Sequence, residues 1–225
     1  MGLTGKNNEE KAWNFLKGKI PNDFGVAGLM GELFAESGLN PQNLQNSYEK
    51  KIGFTDATYT AAVDSGSYAN FVHDSAGYGV AQWTFWSRKE ALLNYVRALG
   101  VSIGDLEAQL GFLYKELSES YPSVLAALKT ATSVRAASDK VLTDFERPAD
   151  QSEAVKIKRA SYGQTYYDKY AKAAASTPSE GGNNMSNSPL VNCTVKSPNH
   201  SGKRTHSIDT LTPHCVVGQL SAESI

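Results

Sequence analysis

A chain of 225 residues that is 40% hydrophobic and 20% charged has the make-up of an ordinary soluble globular protein, with room for one good-sized domain and an appendage. Its 22 basic and 23 acidic residues leave a net charge of −1. That balance argues against a nucleic-acid partner or an anionic lipid surface, because neutralising phosphates needs concentrated basic charge. No apolar run could cross a membrane, and no basic leader precedes an apolar stretch, so neither membrane insertion nor a secretory signal is expected.

In chain order, the region from Asn7 to about Ala175 reads as mostly helical. Asn7 or Asn8 can cap a first helix whose opening turn carries Glu9 and Glu10, with Trp13, Phe15 and Leu16 as its apolar residues. A second helix is predicted from about Phe24 to Glu36, where Val26, Leu29, Met30, Leu33 and Phe34 are spaced as one buried face. Ser37-Gly38 and then Asn40-Pro41 end it, since glycine accepts left-handed angles and proline cannot continue a helix. Further helices are predicted near 87–99, 103–118, 122–130, 133–145 and 151–174, with Pro122 and Pro148 at natural starts and Gly100 as a stop. The stretch DSAGYGVAQWT, Asp74 to Thr84, has no clean helical period and reads as a loop or short hairpin. The fold class is therefore mainly α with a small loop or β element, one helical domain over 1–172.

Beyond it the composition changes. Residues 173–189 are small and polar, which is linker chemistry. Residues 190–225 hold two strand-like strings, LVNCTV and HCVVGQL, but are too few to bury a core of their own, so they read as an incomplete segment. Cys193 and Cys215 could form one disulfide, with free thiols in a reducing compartment as the default. His200, His206, His214 and Cys215 lack the spacing of a compact zinc finger, and no metal or other cofactor is expected.

The candidate chemistry centres on Glu36. It falls in the last turn of the second helix, with Leu33 and Leu29 one and two turns back on the same side. Partial burial and the negative end of the helix dipole would both favour its protonated form, which is what a leaving glycosidic oxygen needs. Glu32 is a rival acid, read as a solvated or supporting neighbour. Tyr78, Gln82 and Trp83, set among glycines, suit a saccharide cleft, because aromatic faces cover sugar faces and amides bind hydroxyl edges. Trp86 reads as a core anchor of the next helix, and His73 as structural. A second carboxylate could come from Asp56, Asp64 or Asp74, of which Asp74 is preferred for its nearness to the loop. Without one, the sugar's own C6 hydroxyl could attack and leave an anhydro end. Glu146 reads chiefly as a structural partner for Arg147 or Arg159.

The strings GVAGLMGELFAESGLNPQNL and DSAGYGVAQWTFWSR resemble the phage tail-tip lysozyme family of the lysozyme superfamily, as does VLTDFERPADQSEAVKIKRASYGQTYYDKYA further on. In that superfamily a helix ending in Glu-Ser-Gly carries the catalytic acid, and a later Gly-x-x-Gln segment lines the glycan cleft. The resemblance covers roughly 7–171. It implies a glycoside hydrolase acting on peptidoglycan glycan strands, with Glu36 as the catalytic acid and Gln82 in the cleft segment; with the readings above, the expected site is Glu36 and Asp74 as catalytic groups and Ser37, Tyr78, Gln82 and Trp83 as substrate-binding residues. It also implies a monomer delivered to the cell wall by holin-mediated release or by a phage tail. Lytic transglycosylases share the Glu-Ser feature, but Gly79-Val80-Ala81-Gln82 matches their loop only in part, and a non-catalytic wall-binding module remains the reading from another class. The segment from Ser197 onward resembles the opening of phage-type N-acetylmuramoyl-L-alanine amidase domains, with His214 at a zinc-ligand position and the other ligands beyond Ile225.

Overall fold

The protein is described here by a computed structural model that covers residues 2–172. The linker, both cysteines, the three tail histidines and the strings expected to be strands lie outside the described residues.

Helix α1, Asn8–Lys17, opens where the Asn7 side chain accepts the backbone N–H of Glu10 at 2.9 Å. Helix α2, Asp23–Ser37, is capped by Asn22 and stopped by Gly38 at φ +62, whose N–H donates to the Phe34 carbonyl. The single buried stripe expected for α2 is a partial truth. Every residue from Gly25 to Leu33 is buried, while Phe34 is 36% exposed and meets Tyr162 edge-on at 4.9 Å. The helix is central because Gly25, Gly28 and Gly31 give it a second, flat side. Added Cβ atoms there would lie within 2.0–2.5 Å of Leu128, Ala137 and Gly163, on the helices that close over it. These are α7 (Pro122–Lys129), α8 (Val134–Val141) and α9 (Glu153–Tyr166), and α1 also packs on α2.

Helices α3 (Asn46–Ile52) and α4 (Asp56–Ser65) were not expected. α3 buries no residue, so it has no apolar stripe to read, whereas α4 is opened by a reciprocal Thr55–Thr58 capping box. Helix α5 runs Trp86–Leu99 and α6 runs Leu106–Glu119 behind an Asp105 cap. The helix expected over 133–145 stops at Val141 and widens into a π-helical turn, Leu142–Glu146, that ends on Arg147 at φ +50. Pro148 does not start the next helix. α9 begins at Glu153, behind Ser152, and passes into a second π turn, Tyr167–Lys172. That turn returns to the start of the chain, where Tyr170 stacks on Trp13 at 5.2 Å and Tyr167 on Phe24 at 4.7 Å.

The 74–84 segment is a hairpin-like turn. Tyr78 and Trp83 exchange two backbone hydrogen bonds, and Tyr78 also bridges to Leu44, with no longer ladder among the described residues. No described helix is long and apolar enough to cross a membrane.

Candidate active site

Glu36 lies in the last turn of α2 with its side chain 19% exposed. Its Oε1 accepts from Arg159 of α9 at 2.6 Å, a partner that sequence spacing alone does not reveal across 123 positions. The same guanidinium nitrogen donates to Glu32 at 2.9 Å, and Ser138 of α8 donates to the other Glu32 oxygen at 2.6 Å. Glu32 is therefore not a solvated neighbour. It is buried, and burial raises its pKa against the opposing pull of Ser138 and Arg159.

Glu146 comes off the end of the first π turn into the same charged group. The expected hydrogen-bonded partner for it is not there. Its Oε1 is buried and meets no donor. Burial, and next the charge of Glu36, push its pKa well above the ordinary carboxylate value, with Arg88 and Arg159 pulling the other way. Arg88 of α5 is itself held by Glu116 of α6, at 2.8 and 3.0 Å, and lies 4.8 Å from the centre of the Phe145 ring. Arg88 is thus hydrogen-bonded to Glu116, and Arg159 to Glu32 and Glu36, while Glu146 is hydrogen-bonded to neither guanidinium.

The loop is fixed against this group. Ser37 Oγ donates to the Val80 carbonyl at 2.9 Å, with the Leu33 carbonyl 3.1 Å away, so it ties the helix end to the turn. Gln109 of α6 accepts the Val80 N–H and donates to Pro41 and Ile103, a buried amide hub that sequence reading passed over. Gln82, at φ +44, donates to the Asn43 backbone and side chain at 3.1 and 2.9 Å. Tyr78 and Trp83 have no exposed surface. Tyr78 shares a hydrogen bond of 2.6 Å with Thr60, and the Trp83 indole donates to Glu116 at 2.7 Å. Rings closed off in this way cannot lie against a sugar. Trp86, expected in the core, is instead 49% exposed beside Phe85 at 61%, with His73 6.2 Å from its ring centre. The aromatic surface next to the turn is therefore Phe85 and Trp86. α5 begins at Trp86, and its buried positions, Lys89, Leu92 and Val96, come about one, two and three turns on.

The aspartates considered as a second carboxylate all hold structure. Asp56 accepts from Asn40 and the Leu44 N–H, both at 2.9 Å. Asp64 accepts from Ser102 at 2.5 Å and Ile103 at 2.8 Å. Asp74 is paired with the fully buried ammonium of Lys89 at 2.5 Å, accepts from Tyr59 and Tyr68, and has a side chain 2% exposed. Among the described residues, no group of three acidic, histidine or cysteine side chains converges as a metal site. A groove of about 720 Å³ lies between α1, α5 and α6, and none of these acids lines it.

No curated protein and no solved structure matches the chain. The family model for phage tail lysozyme matches residues 7–170 and does not reach the segment compared above with amidases. With the Glu36 helix, the tied turn and the Glu146 corner all inside that match, the chain belongs to the phage tail lysozyme family, and with it to the lysozyme-type proteins that act on peptidoglycan.

Proposed function

We propose that this protein cuts the glycan backbone of peptidoglycan between its amino sugars, with Glu36 as the acid that protonates the departing glycosidic oxygen. The observation that carries the reading is the placement of Glu36. It is a partly exposed carboxyl at the end of a buried helix, joined through Ser37 to a rigid turn whose next residues are exposed aromatics. A charge developing at such a half-buried position is affected strongly by the fixed groups around it. Gln82 at the turn, and Phe85 and Trp86 beyond it, are the groups suited to sugar edges and faces. Hydrolysis is the primary reading. A specific observation favours the alternative of intramolecular attack by the C6 hydroxyl, since Asp56, Asp64 and Asp74 are all engaged elsewhere. The family favours delivery by a phage tail over holin-dependent release.

The test is lysis of purified Gram-positive cell walls by Glu36→Gln. The variant should keep the helical circular dichroism and lose lysis by roughly a hundredfold or more. A folded Glu36→Gln variant that clears walls at the parent rate removes Glu36 from the mechanism, whereas a parent protein that binds walls without clearing them is a wall-binding module. Mass spectrometry of the fragments then separates reducing ends, from hydrolysis, from anhydro ends.

A further inference from the structure

Phe34 belongs by its spacing to the buried face of α2, yet it is 36% exposed. With Tyr162 of α9 it forms an aromatic ridge between two depressions in the surface. On one side of the ridge lie Glu9 and Lys169, already paired with each other at 2.6 Å. On the other side is a groove of about 290 Å³, lined by Phe34, Ala35, Val155, Lys158, Arg159 and Tyr162. That lining holds two cations and no acid.

Both cations have capacity to spare. Arg159 gives a single nitrogen, Nη1, to Glu32 and Glu36. Its Nε and Nη2 make no hydrogen bond among the described residues, and neither is a buried unpaired donor, so that edge of the guanidinium is open to solvent. Lys158 is exposed and makes no ion pair among the described residues. A guanidinium edge with two unspent donors suits a carboxylate, whose two oxygens can meet both at once. The groove therefore offers an anion-binding end and an aromatic wall, and its anion-binding end is the residue that holds Glu36.

We propose that this groove takes the acidic peptide branch of peptidoglycan, with a peptide carboxylate on Arg159 and Lys158 and an aliphatic side chain against Phe34 and Tyr162. The proposal rests on the glycan-cleaving reading of Glu36, which places the scissile bond beside Arg159. Peptidoglycan differs from plain amino-sugar polymers in the short peptides, rich in free carboxyls and alanine methyl groups, that branch from its strands. The sign of the charge in the groove matches those carboxyls, and the ridge matches the methyl groups. At about 290 Å³ the groove is at the small end for a ligand pocket, which fits a branch and not the strand itself. Binding here makes the protein prefer glycan that still carries its peptides, because specificity is the difference between two affinities.

The decisive variant is Lys158→Glu in the full 225-residue chain, which reverses the charge of an exposed side chain. Calorimetry should compare two probes, a purified peptide-bearing disaccharide of peptidoglycan and the same disaccharide without its peptide. The parent should bind the peptide-bearing probe about tenfold more tightly, as one charge-assisted contact implies. In Lys158→Glu the two probes should bind within about twofold of each other, while Lys158→Arg keeps the preference. The KM values for intact and peptide-stripped glycan strands should follow the same order. A parent without the preference, or a folded Lys158→Glu variant that retains it, overturns the proposal. Should Lys158→Glu fail to fold, Lys158→Gln reads the same loss without reversing the charge. Binding is measured here without cleavage, so a Glu36→Gln variant that lyses walls normally removes the reading of Glu36 and leaves the peptide preference to be judged by itself.

Discussion

Replacing Gly31 by alanine should push α9 off α2 and carry Arg159 with it. A Cβ on Gly31 would sit 2.5 Å from the Gly163 nitrogen and 2.8 Å from the Arg159 carbonyl oxygen. Both are backbone atoms, so no side chain can swing aside. An ordinary contact needs ~3.5 Å, and restoring it requires α9 to retreat by about 1 Å. Overpacking of this kind costs up to about 3 kcal/mol, while alanine in place of glycine inside a helix returns about 1 kcal/mol. The net loss of about 2 kcal/mol should lower Tm by roughly 4–8 °C for a domain of this size. Because α9 carries Arg159, the 2.6 Å bond to Glu36 should loosen as well, and lysis should fall by more than the unfolded fraction explains. Thermal unfolding by circular dichroism, with Gly18→Ala as the control, reads this directly. Gly18 has φ −66 and no neighbour nearer than 3.4 Å to an added Cβ, so its substitution should leave Tm level or slightly raised. If Gly31→Ala behaves like Gly18→Ala, the close approach of α2 and α9 is not what the glycine serves.

Asp74→Ala should cost about 3–5 kcal/mol, because it leaves the buried Lys89 ammonium unpaired, and a second change, Lys89→Met, should recover much of it. Should an Asp74→Asn/Lys89→Met protein keep its Tm yet lose lysis, Asp74 serves the chemistry after all. Glu146 and Glu32 both bind their protons more tightly in the folded state, so their contribution to stability is full below the ordinary value of 4.5 and is lost as pH rises through their folded values. Tm of the wild type should therefore fall across that window and fall less steeply in Glu146→Gln, and equal slopes for the two proteins would refute this. A chain ending at Ala175 should match the full chain in Tm and wall lysis, since the Trp13–Tyr170 and Phe24–Tyr167 stacks close the domain before that point. A loss of several degrees on truncation would show that later residues pack on the helices.

Local chemistry made much of this protein legible from its sequence. Asn7, Gly38, Gly100 and Pro122 mark helix ends because caps, left-handed glycines and first-turn prolines act within a few residues of themselves. The position of Glu36 at the end of α2 followed from the same signals. What periodicity could not supply was the surroundings of each side chain. Trp83 and Trp86 are three positions apart in similar company, yet the indole of Trp83 reaches Glu116 on α6 and is buried, while Trp86 starts α5 and stays exposed. Asp74 lay closest to the loop in sequence, but Lys89 arrives one helix later and claims it. Arg159 reaches Glu36 across 123 positions, and Glu146 is delivered by a π turn that no helical period announces. Burial and charge pairing depend on which helices meet, and only the packing of α5, α6, α8 and α9 around α2 settled which acids are fixed by partners and which one was left without.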